Sequence, residues 1–109
     1  MAPSKKLINN VDTLVDEALE SIVSSNPFVR LIENHRVIVR ADVENLKHKV
    51  AILGGGGSGH EPAFAGYVGK GFMSSAVAGS VFASPPPKAI LAGILKLAEF
   101  SPSGILVVC

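Results

Sequence analysis

The stretch Gly54–Pro62, which reads Gly-Gly-Gly-Gly-Ser-Gly-His-Glu-Pro, follows the apolar run Val50–Leu53 and decides how this chain is interpreted. Glycine has no Cβ atom, so a strand that ends in consecutive glycines lets its backbone approach a small ligand closely. Such a stretch is also costly to order, because glycine loses more conformational freedom on folding than any other residue. The hydroxyl of Ser58, the imidazole of His60 and the carboxylate of Glu61 lie within it. We therefore expect a ligand-binding loop at the end of a strand.

A dinucleotide-binding loop is one candidate for this stretch. Residues 54–59 match the pattern G-x-G-x-x-G and follow a predicted strand. That motif also needs an acidic residue about 20 positions further on, which binds the ribose. No acidic residue lies between Glu61 and Glu99, so the match is weak.

A nucleotide-phosphate loop and a zinc helix are two further candidates. A P-loop places a lysine directly after its last glycine, whereas Gly59 is followed by His60. A zinc helix needs a second histidine one turn after the first, and Phe64 stands at that position. The sequence therefore predicts no metal ligands and no nucleotide-phosphate site in this loop.

The remaining interpretation is a site for a small polyol or carbonyl compound. The backbone N–H groups of Gly57, Ser58 and Gly59 can donate to substrate oxygens, and His60 can accept a proton from a substrate hydroxyl. Each side chain also has a structural interpretation, which stays open at this point. Ser58 and His60 can hydrogen-bond within their own loop, and Glu61 can favour the N-terminus of a following helix.

Hydrophobic periodicity predicts alternating helices and strands. A helix is expected over residues 11–25, capped by Asn10 or Asp12, and a second helix is expected to begin at Ser84 as its N-cap. Pro62 is expected in the first turn of a short helix. This alternation is typical of an α/β fold with a mainly parallel sheet and flanking helices. The predicted strands are 36–40, 49–53, 75–82 and 104–109.

Composition limits the classes of protein and partner. The chain has 109 residues, enough for one domain or part of one, and 48% hydrophobic against 17% charged residues indicates globular material. A net charge of +1 gives no electrostatic footprint for nucleic acid. The apolar stretches are shorter than the about 20 residues that a membrane span needs. We expect neither nucleic acid nor a membrane as partner.

The single cysteine, Cys109, excludes an internal disulfide framework and is typical of a reducing compartment. Residues Met1–Lys6 are not followed by the apolar core of a signal peptide. These two observations predict a cytoplasmic protein. Because Cys109 ends an apolar strand, and buried parallel strands seldom finish a domain without cover, we expect a part of a longer protein.

Five segments of the chain together carry a resemblance to a known family. They are residues 4–10, 40–42, 49–62, 65–71 and 81–85. Over essentially the whole chain, they resemble the substrate-binding domain of dihydroxyacetone kinases. The segment that ends in His-Glu-Pro is highly specific to that family. One departure is Gly54, where many relatives have serine, and it precedes the contact residues.

The resemblance implies a kinase that phosphorylates dihydroxyacetone or a related compound, namely glyceraldehyde or 3,4-dihydroxy-2-butanone. In that family the residues matching Gly57, Ser58, Gly59 and His60 form part of the substrate pocket. His60 matches the histidine that hydrogen-bonds the substrate and acts as acid and base. The substrate is held as a hemiaminal on a histidine far downstream, and a lysine and an aspartate past Cys109 also touch it.

The same resemblance implies ATP and Mg²⁺ as cofactors, bound by an all-helical domain absent from this chain, and a homodimer as the full-length assembly. Residues 1–109 would then be a partial substrate-binding domain, inactive alone. The alternative, from a different class, is a non-catalytic truncated product that acts as an interaction or regulatory module.

Overall fold

The computed structural model describes residues 7–32 and 34–109; the signal-peptide expectation for Met1–Lys6 lies outside these residues. The first helix, α1, spans Leu14–Ser25 after a 3₁₀ turn at Val11–Thr13, as predicted. Of the two candidate caps, Asn10 caps this turn, because its side-chain oxygen accepts a hydrogen bond from the Asp12 N–H at 2.8 Å.

Strands of the described residues form one sheet of five strands, in the order β1-β2-β4-β3-β5. β3 pairs in parallel with β4 and with β5, whereas β2 pairs antiparallel with β1 and with β4. The sheet is therefore mixed, and the expectation of a mainly parallel sheet is wrong. The strands are β1 (Val29–Ile32), β2 (Val37–Arg40), β3 (Ala51–Ser58), β4 (Ser75–Val81) and β5 (Ile105–Val108).

The antiparallel part of the sheet comes from a hairpin that the sequence analysis did not predict. β1 pairs with β2 from Val29 opposite Arg40 to Ile32 opposite Val37. Asn34, in the connection, has φ 64, a left-handed conformation in which asparagine is several-fold enriched. The hairpin places β1 antiparallel to β2, and β2 lies antiparallel to β4. The strands on this side of the sheet therefore alternate in direction.

β3 continues through the glycines that were expected to form a loop. The three residues Gly54–Gly56 pair in regular parallel register with the three residues Ala76–Ala78 of β4. A Cβ atom on Gly56 would lie 2.9 Å from the Phe64 ring, so this ring packs directly on the backbone. Long-range pairing and packing therefore keep extended a stretch whose local preference is a loop.

The second helix, α2, spans Pro87–Ala98, and its N-cap is Pro86 rather than the predicted Ser84. Pro87 occupies the first helical position, where its missing N–H leaves no intrahelical bond unmade. α2 approaches the sheet closely, because a Cβ atom on Gly93 would lie 2.8 Å from Leu53 Cδ1. This contact holds α2 across β3.

Two apolar clusters lie on opposite faces of the sheet and give it three layers. One face carries α2 and the 3₁₀ turn Val43–Leu46, and the other carries α1 and residues 64–73. Among the described residues, no helix is both long enough and apolar enough to cross a membrane. The buried residues of the clusters are Val37, Val39, Val43, Leu46, Ala51, Leu53, Val77, Ala89 and Leu97 on the first face, and Val15, Leu19, Val29, Ile38, Val68 and Ala76 on the second.

Candidate functional site

The carboxyl ends of the three parallel strands meet at one edge of the sheet, which we call the carboxyl edge. β3 pairs there with β4 at Ser58 and Val81, and its last partner on β5 is Val108, opposite Gly54. Residues Gly55–Ser58 therefore run beyond the end of β5. Ligands of open α/β sheets bind outside the carboxyl ends of such strands, and the predicted site residues lie at this edge.

A tight turn formed by Phe82–Pro85 folds back over the ends of β3 and β4. The Ala83 N–H donates to the Ser80 carbonyl at 3.0 Å, which closes a β-turn over residues 80–83 at the start of this segment. A Cβ atom on Gly57 would lie 2.8 Å from the Ala83 nitrogen, and one on Gly79 would lie 2.8 Å from the Pro85 nitrogen. The backbone of this turn thus packs directly on Gly57 and Gly79, which leave no room for a side chain.

Ser58 is buried, and its hydroxyl donates to the Gly79 carbonyl at 2.9 Å. Its own carbonyl accepts the Phe82 N–H at 2.7 Å. Both bonds tie β3 to the end of β4 and the residue that follows it. The side chain of Ser58 therefore has a structural role, although its partner lies on β4 and not within its own loop as the structural interpretation expected.

The Gly59 N–H, a predicted substrate donor, donates in this structure to the Glu61 carboxylate, at 3.2 Å to Oε1 and 3.0 Å to Oε2. Gly59 has φ 112, a conformation that glycine adopts readily. The next helical turn begins only at Ala65, so the expectation that Pro62 lies in its first turn is wrong. Glu61 likewise precedes that turn, and its carboxylate bonds back across His60 instead.

His60 is exposed at the carboxyl edge, between Gly59 and Glu61. Its imidazole meets the Phe64 ring edge-on, with ring centroids 6.2 Å apart and an angle of 85° between the rings. This T-shaped contact is a favourable arrangement of aromatic rings and limits the orientations of the imidazole. An exposed imidazole held in this way can accept a proton from a bound ligand.

Phe82 belongs to the same edge and was not predicted as a site residue. Its side chain is 77% exposed, and its ring lies 2.9 Å from the position of a Cβ atom on Gly59. The signal that could have found it was its place directly after β4, since side chains that follow parallel strands meet at one edge.

An ion pair lies beside the carboxyl edge, on the side of β2. Arg36 donates to Asp16, with Nε and Oδ1 2.8 Å apart, and to the Ser80 hydroxyl at 3.2 Å. The hydrogen bond from Arg36 lowers the pKa of the Asp16 carboxyl below its ordinary value, because it favours the carboxylate. Arg36 thereby links α1 to the end of β4.

Metal-ligand clusters and phosphate loops are the two further kinds of site that were considered for this stretch. Over the described ranges 7–32 and 34–109, the structure brings together no group of three or more His, Cys, Asp or Glu side chains that could hold a metal ion. Gly59, the last glycine of the stretch, is followed by His60 and not by a lysine that could reach phosphates. The arrangement suits the binding and deprotonation of a small polar compound.

The opposite edge of the sheet, which we call the amino edge, carries an apolar groove. Its volume is about 820 Å³, and the exposed rings of Phe28, Tyr67 and Phe72 lie along it. Asp42 also lines the groove and forms a bidentate ion pair with Arg40, in which both N–O distances are 2.8 Å. None of the predicted site residues lines the groove.

The chain matches known proteins in both sequence and fold. The family described as the Dak1 domain matches residues 20–109. The chain is 50% identical over 105 residues to triokinase/FMN cyclase of Mus musculus, covering 96% of this chain and 18% of that protein. It is 46% identical over 105 residues to the dihydroxyacetone-binding subunit DhaK of PTS-dependent dihydroxyacetone kinase 1 of Listeria innocua, covering 95% of this chain and 31% of that subunit.

Among solved structures, the dihydroxyacetone kinase from C. freundii in complex with AMP-PNP and Mg²⁺ superimposes with a TM-score of 0.85 and 35% sequence identity. The superposition covers 96% of this chain and 20% of that one. The chain thus spans about 18% of the length of the triokinase/FMN cyclase that it matches.

Proposed function

The chain belongs to the Dak1 domain family, and from this premise we propose that it is the substrate-binding N-terminal part of an ATP-dependent kinase. The substrate is dihydroxyacetone or a related short keto-sugar such as glyceraldehyde or 3,4-dihydroxy-2-butanone. The observation that carries the proposal is His60, which is exposed at the carboxyl edge beside a glycine-rich strand end.

His60 acts in this proposal as the acid/base residue. It takes the proton of the substrate hydroxyl while that oxygen forms a bond to the γ-phosphorus of ATP and the bond to the bridging oxygen breaks. The contact with Phe64 orients the imidazole for this step. Catalysis then depends mainly on positioning, as expected for phosphoryl transfer.

Backbone N–H groups of Gly57, Ser58 and Gly59 are the proposed donors to substrate oxygens. The Gly59 N–H is engaged by Glu61 in this structure, so a substrate oxygen must replace the carboxylate before it can use that donor. The hydroxyl of Ser58 is bonded to Gly79, and Ser58 pairs with Val81 in the parallel ladder, so its backbone N–H faces β4. A substrate oxygen must therefore displace this strand bond before it can use the Ser58 N–H as a donor.

ATP and Mg²⁺ are proposed to bind to a further domain of a longer protein, because the similar kinase solved with AMP-PNP and Mg²⁺ is matched by this chain over only 20% of its length. Residues 1–109 are then a partial substrate-binding domain that does not turn over alone. We also propose a cytoplasmic location, which the single cysteine favours, and a homodimer of the longer protein.

The test is to measure sugar phosphate formation from dihydroxyacetone and MgATP by ³¹P NMR, using the longest natural chain that carries this sequence. We expect product from that chain and none from the 109-residue chain. Absence of product from the long chain, with folding verified by circular dichroism, would contradict the kinase proposal. Product from the short chain would contradict the proposal that ATP binds to a domain outside these 109 residues.

The second candidate, an interaction or regulatory module, is supported by the outer strand β5. Leu106, Val107 and Val108 are 55%, 46% and 41% exposed, so within residues 7–32 and 34–109 this strand presents apolar side chains and a backbone edge with no strand beside it. Such edges are templates for pairing with another chain. Size-exclusion chromatography of the 109-residue chain with and without the long kinase tests this candidate, and separate elution would remove it.

A further inference from the structure

Phe82 adopts an unfavourable conformation and stays exposed. Its φ is 51, in the left-handed region that non-glycine residues seldom occupy, and its side chain is 77% exposed. An exposed ring contributes little burial to folding, so the ring itself does not offset the backbone conformation. Conformations of this kind persist where the surroundings over-determine them, and they cluster at functional sites.

The surroundings of Phe82 do fix it. Its N–H donates to the Ser58 carbonyl at 2.7 Å, and its carbonyl carbon lies 3.1 Å from the position of a Cβ atom on Gly57. The tip of its ring lies 2.9 to 3.2 Å from the position of a Cβ atom on Gly59. The ring is thus held against the same backbone that is proposed to bind substrate.

We propose that Phe82 is a specificity-determining residue of this site, whose ring forms an apolar wall against the carbon chain of the keto-sugar. This inference rests on the proposed function. The wall packs on the C–H groups of a short substrate, limits its length, and keeps water from the hydroxyl that is to be phosphorylated. Water that reaches the phosphoryl donor in place of this hydroxyl yields free phosphate.

The wall explains why an aromatic ring stands at a polar edge. A polar donor set holds substrate oxygens equally well in triose and longer sugars, so it does not select length. An apolar surface at a fixed distance from Gly59 selects substrate length, because the carbon chain of a longer sugar must displace that surface. The ring also lowers the local water content and so strengthens the hydrogen bonds of the neighbouring N–H donors.

The experiment compares Phe82→Ala with Phe72→Ala in the longest natural chain that carries this sequence. Phe72 is a matched control, because it is 68% exposed and lies at the amino edge. The readouts are kcat and KM for dihydroxyacetone and for 3,4-dihydroxy-2-butanone, and the free phosphate released per sugar phosphate formed. Phe82→Tyr, which keeps the ring, serves as the conservative variant.

For Phe82→Ala we expect a fall in kcat/KM for dihydroxyacetone of about tenfold or more, mainly through KM, as for a lost apolar contact in a pocket. We also expect weaker discrimination against the longer sugar and more free phosphate. Phe82→Tyr should restore these values, and Phe72→Ala should leave them unchanged.

Phe82→Gly keeps the inference testable if the alanine variant fails to fold, because glycine adopts a positive φ without strain. A folded Phe82→Gly or Phe82→Ala protein with wild-type KM, selectivity and phosphate release overturns the inference alone. A wild-type chain that forms no sugar phosphate overturns the proposed function and this inference with it.

Discussion

The two edges of the sheet are built in different ways. At the amino edge, Arg40 is 5% exposed and its guanidinium meets Asp42 in a bidentate pair, and Ser75 donates to the Ile38 carbonyl at 2.9 Å. At the carboxyl edge, His60 is exposed and Phe82 adopts a positive φ. Arg40 and Ser75 at the first edge are bonded within the protein, whereas the imidazole of His60 and the ring of Phe82 at the second edge face outward.

The difference separates residues that stabilise the chain from residues that are available to a ligand. A buried guanidinium that lost its carboxylate would remain as an uncompensated charge, so the amino-edge pair is important for stability. An exposed imidazole costs little to remove from the folded state. Substitutions at the amino edge should therefore lower stability more than activity. Substitutions at the carboxyl edge should lower activity more than stability.

The largest effect is expected for His60→Ala in the longest natural chain that carries this sequence. Because a positioned acid/base group contributes about 10² to 10⁴ in rate, kcat/KM for dihydroxyacetone should fall by roughly that factor. The melting temperature should stay within about 2 °C, as expected for an exposed side chain. Steady-state kinetics and thermal unfolding measure the two quantities.

His48→Ala is the matched control, because His48 is exposed and precedes β3 at the amino edge. It should change neither kcat/KM nor the melting temperature. If His60→Ala retains near wild-type turnover, the proposed role of the imidazole is wrong. The two edges would then differ in their hydrogen bonding but not in their contribution to activity.

Asp42→Asn should reduce stability without an effect on the kinetic constants of the folded protein. Arg40 would keep its buried charge but lose the carboxylate, at a cost of about 1 to 3 kcal/mol in the free energy of unfolding. This range is below that of a fully buried pair, because the Asp42 side chain is 38% exposed. Urea denaturation measures the change.

Asp16→Asn tests the same chemistry in a more solvated pair, since the side chains of Arg36 and Asp16 are 29% and 53% exposed. We expect a loss below about 1 kcal/mol. Equal losses for Asp16→Asn and Asp42→Asn would show that burial does not distinguish the two pairs.

Gly57→Ala and Gly69→Ala compare a glycine that supports the Phe82–Pro85 turn with one in open space. A Cβ atom on Gly57 would lie 2.8 Å from the Ala83 backbone, whereas nothing lies within 4 Å of one on Gly69. We expect Gly57→Ala to cost about 1 to 2 kcal/mol, because backbone must shift. Gly69→Ala should be neutral or slightly stabilising. Denaturation midpoints that agree for both variants would contradict the close packing of the turn.

The smallest effect is the pH dependence of the amino-edge pair. The hydrogen bond from Arg40 lowers the pKa of Asp42 below its ordinary value of 3.8. A lowered folded pKa gives stability that is complete above the unfolded pKa and is lost as the pH falls through the folded pKa. Denaturation midpoints should therefore decline below about pH 4, and less steeply for Asp42→Asn. Identical slopes for the two proteins would contradict this assignment.

Regular periodicity predicted most of the elements. Helix α1 with its preceding turn, and strands β2, β4 and β5, lie within about two residues of their predicted ranges, because each carries a clear apolar pattern. β1 was missed since Asn26-Pro27 signals only the end of α1, and four residues that pair with a later hairpin strand carry little signal of their own.

The conformation of the β3 glycines and part of the site could not be predicted from the local sequence. Gly54–Gly56 are extended because β4 pairs with them, and β4 follows later in the chain. The placement of the consecutive residues Gly57–His60 at one strand end could be predicted from their order alone. The hydrogen bond from Ser58 to Gly79 and the position of the Phe82 ring could not, because both join segments far apart in sequence.

The order of the strands has a consequence for how the chain acquires its structure during synthesis. Both neighbours of β3, namely β4 and β5, are translated after it. On the ribosome β3 is therefore completed before either of its pairing partners, whereas both strands of the β1–β2 hairpin are translated before β3 begins. The carboxyl edge then takes shape only after β4 has been translated, and a pause in translation before Ser75 prolongs the time for which unpaired β3 is exposed to proteases and chaperones.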